Sequence, residues 1–269
     1  MKSKLATLLF CLLLLTVLAL AGCDTGTVDQ ASEATAPASE TAEPAASELE
    51  TLLASDSRAV ADRARDAGRK PAQVIALLGI EPGMKVIDIM GAGGYYTEVL
   101  ALAVGPDGHV SAQNPAVVMQ MRDGANEKAL SARLANNRLP NVSRLDKEMT
   151  EISAQDGPFD AAFTALNLHD VYNNYGEEGA VGAMKLIFST LKPGGVFGVI
   201  DHGGVEGNDN KALHRMLKQD AIRAATAAGF VVEADSGLLH NHDDDMSQVV
   251  FAEGLRGQTH RFLLKLRKP

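Results

Sequence analysis

Two histidines stand beside aspartates at the ends of apolar runs: His169-Asp170 in "NLHDVYNN" and Asp201-His202 in "VIDHGG". An imidazole titrates near neutral pH, so each is a candidate general base for a hydroxyl or amine. The same four side chains also form a donor set for a divalent cation through imidazole and carboxylate. No tight spacing, such as two histidines four apart on one helix, accompanies them. Taken singly, each histidine reads better as a residue that caps a loop or bonds a backbone carbonyl, and only the pair brings function level with that reading. A third feature is "KVIDIMGAGGYYTEVLA", Lys85 to Ala101, where an apolar run carrying Asp88 meets Gly91, Gly93 and Gly94 before a helix-like segment. Glycines at such a turn let a ligand approach the backbone where a Cβ would collide.

These residues need a scaffold, and the chain alternates strand and helix patterns. "KVIDIM", "HVSAQNP", "NVSRLDKEM", "FDAAFTALNLHDV" and "VFGVIDH" read as five strands. "YYTEVLALAVG" stopping at Gly105, "AVVMQMRDGANEKALSARLANN", "GAVGAMKLIFSTLKPGG" and "KALHRMLKQDAIRAATAAGF" read as the helices between or after them. Before the first strand, Ser55 or Asp56 suits the cap of one helix. Pro71 suits the first turn of another, with Val74, Ile75, Leu77 and Leu78 turned inward. "FVVEADSGLLH" and "THRFLLKLRKP" close the chain as two strands without a helix between them.

Alternation demands right-handed crossovers, hence an α/β fold. Its sheet is mostly parallel, with helices on both faces and a C-terminal antiparallel hairpin at one edge. Ligands then sit at the carboxyl ends of the strands. Tyr95, Tyr96, Asn167, His169, Asp170, Tyr172, Asn173, Asn174, Asp201 and His202 are expected to converge there. "HNHDDDMSQ" reads as a solvated loop between the last strands. The basic residues Arg256, Arg261, Lys265, Arg267 and Lys268 read as protection of an exposed edge.

In this order, "GMKVIDIMGAGGYYTEVLA", "FDAAFTALNLHD", "LKPGGVFGVIDH", "AAGFVVEADSGLL" and "RFLLKLRKP" resemble the class I S-adenosylmethionine-dependent methyltransferases. "RDAGRKPAQVIALLGI", "GGYYT", "HDVYNNYG" and the closing "RKP" resemble a bacterial subgroup of predicted exported methyltransferases. The resemblance implies a Rossmann-like, seven-stranded sheet and S-adenosylmethionine as cofactor. It implies cofactor contacts from Asp88, Met90, Gly91, Gly93, Gly94, Asn114, Asp146 and Asn167, while His169, Asp170 and His202 are the catalytic candidates read from their residue types and place at the strand ends. The family pattern places three glycines at alternate positions after the first strand. Here those positions hold Met90, Ala92 and Gly94, and a loop shifted by one residue would let Gly91 and Gly93 take over. The family also carries an acid at the end of the second strand for the ribose hydroxyls, and Gln113-Asn114 stands there instead. An amide accepts a hydrogen bond without the charge-assisted strength of a carboxylate. Asp146 is expected near the adenine amino group.

The N-terminus gives an address. "MKSK" followed by "LATLLFCLLLLTVLALA" has the form of a signal peptide over residues 1–22. "LAGC" resembles the bacterial lipobox, which implies lipid on Cys23, and Asp24 resembles an inner-membrane retention signal. Residues 23–47 are small, polar and acidic and read as a disordered tether, leaving 48–269 as the methyltransferase-like domain. With Cys11 removed and Cys23 lipidated, the domain holds no thiol, which excludes a disulfide or catalytic cysteine within it. Processing leaves 23 basic residues against 34 acidic ones, a net charge of −11. That balance excludes nucleic-acid binding through a global basic field.

The leading expectation is a lipid-anchored methyltransferase at the periplasmic face of the inner membrane, acting on a small molecule. A methyltransferase-like binding protein that holds another ligand or partner is the second, because S-adenosylmethionine is made inside the cell. A metal-dependent enzyme on the same rim is the third.

Overall fold

The computed structural model describes residues 42–269. The signal peptide, Cys23 and most of the tether lie outside the described residues. Three helices come first: α1 (Ala42–Leu53), α2 (Val60–Arg69) and α3 (Pro71–Leu78). Pro71 occupies the first turn of α3, and Val74, Ile75 and Leu78 are buried as its period requires. α2 begins after Ala59 with no side-chain cap, so neither Ser55 nor Asp56 has the capping role expected of it. α1 was not legible as a helix, yet its Leu49 and Leu53 are buried in the core.

The chain then alternates through β1 (Lys85–Ile89), α4 (Tyr95–Val104), β2 (His109–Gln113), α5 (Ala116–Leu134) and β3 (Val142–Leu145). β4 (Phe159–Ala165), α6 (Leu168–Thr190), β5 (Leu191–His202), α7 (Lys218–Ala228), β6 (Val231–Ser236) and β7 (Arg261–Arg267) complete it. The seven strands form one sheet in the order β3-β2-β1-β4-β5-β7-β6. β1 pairs in parallel with both β2 and β4, while β7 is antiparallel to β5 and β6. Every residue of β1 after Lys85 is buried, because helices cover both faces of a parallel sheet. Val86 packs toward α1, α3 and α4, whereas Ile87 and Ile89 pack toward α6 and α7. Each such fully buried aliphatic side chain contributes about 1.5–3 kcal/mol, which makes the strand ends a stiff base for a site.

Strand order reverses between β1 and β4, and a ligand crevice belongs at that switch point. Three details depart from expectation. The last two strands do pair, but β7 lies inside the sheet and β6 forms the edge. The basic residues of β7 are therefore not edge protection: Lys265 and Arg267 pair with Glu233 of β6, and Arg261 is buried. α6 begins at Leu168, so "HDVYNN" is helix rather than the exit of a strand. α7 begins only at Lys218, which leaves residues 203–217 as a loop after β5. Among the described residues no helix is long and apolar enough to cross a membrane.

Candidate functional site

The loop after β1 keeps the backbone of a glycine motif without its glycines. Met90, Ala92 and Gly94 have φ of 51°, 50° and 85°, while Gly91 and Gly93 are not left-handed. The loop is thus not shifted by one residue. Left-handed backbone at a residue with a Cβ costs roughly 1–2 kcal/mol, so other contacts must hold it. They come from β2 and β4. Gln113 Oε1 accepts from the Met90 amide at 3.0 Å, and Asn114 Oδ1 accepts from the Ala92 amide at 2.8 Å. Asn167 Nδ2 donates to the Met90 carbonyl at 3.3 Å.

Gly91 and Gly93 serve close approach instead. A Cβ on Gly91 would lie 2.5 Å from Asp88 Oδ2, and one on Gly93 would lie 3.0 Å from Ala129 Cβ on α5. Gly93 therefore faces α5.

Asp88 is fully enclosed, and its Oδ2 accepts from Thr97 Oγ1 at 2.6 Å. Burial pushes its carboxyl up to about 7, against a smaller opposing effect of the Thr97 hydroxyl. Its folded value exceeds the unfolded 3.8, so the neutral form is favoured in the native state. That contribution is complete below 3.8 and is lost as pH rises through about 7. Asp88→Asn is expected to abolish this slope. Urea midpoints should show the variant gaining on the wild type across this window, by up to about 4 kcal/mol. A constant difference would contradict the assignment.

At the end of β2 the two amides differ. Gln113 is spent, because its Nε2 also donates to the Lys147 carbonyl at 2.7 Å. Asn114 is also buried, yet its Nδ2 has no hydrogen-bond partner among the described residues. It borders an open cleft of about 530 Å³ lined also by Met119, Glu127, Arg144, Asp146 and Glu148. Asp146 thus shares a cleft with Asn114, and its Oδ2 accepts from Arg144 Nε at 2.9 Å. The carboxylates of Glu127 and Glu148 were missed because α5 and the segment after β3 bring them in from a distance.

A second cluster lies beyond β4 and β5. Asn167 also donates to Thr164 Oγ1 and the Ala165 carbonyl, which ties this side to the β1 loop. His169 Nδ1 donates to Asp201 Oδ1 at 2.7 Å, and the His169 amide donates to Asp201 Oδ2 at 2.8 Å. Burial draws the His169 imidazole down, but the Asp201 charge and hydrogen bond outweigh it and hold the group above its ordinary value. Its Nε2 lies 3.4 Å from Asp170 Oδ1.

His202 is different. Its Nδ1 meets Thr259 Oγ1 at 2.8 Å, and burial, aided by His169, Arg261 and Arg215 against the opposing charge of Asp201, brings it down to about 3. So weak a base is not suited to the proton transfer expected of it, and its ring serves as packing for His169 at 5.6 Å.

The loop after β5 supplies a residue the sequence hid. His214 Nδ1 lies 3.4 Å from the same Asp170 Oδ1. Beside it, Arg215 is fully buried and paired with Asp244 at 2.9 and 3.0 Å. "HNHDDDMSQ" is therefore not wholly solvated, since Asp244 is among its residues. Tyr95 and Tyr96 also leave the expected rim. Tyr95 donates to Asp66 at 2.6 Å, and Tyr96 turns toward the Arg69 carbonyl and Phe163.

No family model and no curated protein sequence matches the chain. Solved structures do. A S-adenosylmethionine-dependent methyltransferase from Aquifex aeolicus aligns with TM-score 0.55 at 17% identity, over 83% of this chain and 98% of that one. A TehB-like methyltransferase from Corynebacterium glutamicum aligns with TM-score 0.50 at 13% identity, over 85% and 98%. The [4+2]-cyclase SpnF aligns with TM-score 0.55 at 18% identity, over 82% and 93%. Strand order, the antiparallel β7 and these alignments agree: the chain has the fold of the class I S-adenosylmethionine-dependent methyltransferases.

Proposed function

We propose that the protein binds S-adenosylmethionine and transfers its methyl group to a small-molecule acceptor. The observation that carries this reading is the buried, partnerless Asn114 Nδ2 beside a loop held in the left-handed glycine register. A buried donor left unpaired costs about 1–3 kcal/mol, and a ligand acceptor at that point removes the cost. The residues present fit the cofactor there. Met90, Ala92 and Gly94 give the loop its left-handed backbone, Gly91 packs over Asp88, and Gly93 faces α5. Asn114 and Asp146 stand on the adenosine side, and Asn167 on the side toward β4.

When bound, the cofactor supplies an electrophilic methyl group on a sulfonium. The chain supplies position and a proton acceptor. Asn167 joins the loop to the acceptor side, so both reactants meet on one stiff edge of the sheet. Asp201 fixes the His169 tautomer, leaving Nε2 to take the proton of an acceptor hydroxyl or amine. Asp170, exposed at the mouth, orients the acceptor, and His202 backs the His169 ring. Replacing Asn114 by alanine removes both the ligand donor and the clamp on Ala92. It is expected to weaken binding of the demethylated product about tenfold or more by calorimetry. Unchanged affinity would place the cofactor elsewhere.

A second reading is a binding protein of the same fold without methyl transfer. It is favoured by the Gln113 and Asn114 oxygens, which clamp the loop and leave no carboxylate at the end of β2. The likeness to a cyclase shows that the fold alone does not decide the reaction. Cofactor binding without methyl transfer to any acceptor would favour it.

The address is proposed from residues 1–24: a lipid on Cys23 anchors the protein in the cell envelope, at the periplasmic face of the inner membrane. Cys23→Ser is expected to move the protein from the membrane fraction to the soluble one. Retention in the membrane would contradict the anchor.

A further inference from the structure

We infer that His169 Nε2, Asp170 Oδ1 and His214 Nδ1 bind a divalent transition-metal cation at the mouth of the cleft beyond β4. Each of the three residues offers one donor atom, and these lie within 4.8 Å of one another. Asp170 Oδ1 stands 3.4 Å from each of the two imidazole nitrogens. Metal–ligand bonds of about 2.1 Å arranged tetrahedrally put neighbouring donors about 3.4 Å apart, so two of the three separations already suit a bound ion.

The surroundings are those of a metal ligand. His169 gives its Nδ1–H to the buried Asp201 carboxylate. That contact leaves the Nε2 lone pair outward and raises its basicity, as a carboxylate behind a ligating imidazole does. Asp201 also takes the His169 amide, so both ring and backbone are held. His214 has φ of 54°, a conformation that a residue with a Cβ keeps only where its surroundings enforce it. Arg215 and Asp244 supply that enforcement from the next position. The Phe251 and His214 rings pack at an angle with their centroids 4.9 Å apart, which covers one side of the imidazole. Access remains on the other side, since the Asp170 and His214 side chains are 56% and 42% exposed.

Two imidazoles and one carboxylate leave coordination positions open, the arrangement of a reactive rather than a structural metal site. The donors suit manganese, iron, cobalt or zinc better than calcium, which takes only oxygen ligands. Where the methyl-transfer reading also holds, the open positions favour an acceptor with oxygen donors. That clause rests on the reading above, and His169 Nε2 is then a ligand instead of the base.

The test is equilibrium dialysis of untagged, chelator-stripped full-length protein against zinc, manganese or cobalt, with metal counted by mass spectrometry. One equivalent of at least one of them is expected. Asp170→Ala and His214→Ala should each weaken it about tenfold or more. Both residues are exposed enough to be replaced without loss of fold, which circular dichroism checks. His240 stacks on His260 at 4.4 Å in a separate histidine cluster, so His240→Ala serves as the control and should change nothing. Absence of binding at millimolar metal overturns the site. Binding that survives in Asp170→Ala and His214→Ala, or that vanishes in His240→Ala, overturns it too. S-adenosylmethionine titrated into the same stripped samples reports the cofactor reading independently.

Discussion

Asp244→Ala is expected to cost about 3–5 kcal/mol of stability, the penalty of leaving a buried charge uncompensated. Arg215 is 0% exposed, and its two terminal nitrogens hold the Asp244 carboxylate in a bidentate pair. Two further donors of the guanidinium reach the Gly203 and Gln248 carbonyls, so the group is held on several sides at once. Asp244 further accepts from the His260 and Met246 amides, which the alanine leaves unpaired. This one carboxylate binds the loop after β5 to the connection between β6 and β7. Urea denaturation measures the loss. Adding Arg215→Met should restore part of it, because the stranded charge goes with it. A single-variant cost below about 1 kcal/mol would show that the pair is better hydrated than its burial indicates.

Asp201→Asn is expected to reduce activity, or cation affinity at His169, by about 10- to 100-fold. Asp201 Oδ1 accepts from His169 Nδ1 and from the His202 amide, and Oδ2 accepts from the His169 amide. Asparagine cannot satisfy all three donors. With its oxygen at the Oδ1 position, its NH2 opposes the His169 backbone N–H. Turned over, it opposes the His202 N–H and drives the His169 proton onto Nε2, which closes the outward lone pair. Nitrogen NMR of the imidazole distinguishes the tautomers directly. Finding the wild-type tautomer and wild-type function in Asp201→Asn would contradict the orienting role.

The framework was legible where one physical demand dominates. "KVIDI" reads as a strand because burial on both faces leaves no room for polar alternation, and β1 is buried at every position after Lys85. Pro71 and Gly105 mark a helix start and a helix stop through backbone constraints that no neighbour can override. The sequence left two registers open for the loop after β1, because the choice of left-handed Met90 and Ala92 is made by Gln113 and Asn114 some twenty residues away.

His214 was hidden by its own pattern. "KALHRMLK" has helical spacing, but the Arg215–Asp244 pair and the Val250 amide on the Leu213 carbonyl hold it as a loop. The place of β7 inside the sheet was missed for a similar reason. Its lysine and arginine look like edge charges until Glu233 of β6 is seen opposite them. At the site, residue types were readable and partners were not. His169 was legible as a base or ligand, but its support from Asp201 and the burial that disables His202 arise only on folding.

The most direct measurement is calorimetric titration of S-adenosylmethionine and its demethylated product into the purified full-length protein. A one-to-one complex is expected, weakened in Asn114→Ala. No heat and no thermal shift at millimolar ligand would contradict the central claim and leave the fold holding a different occupant.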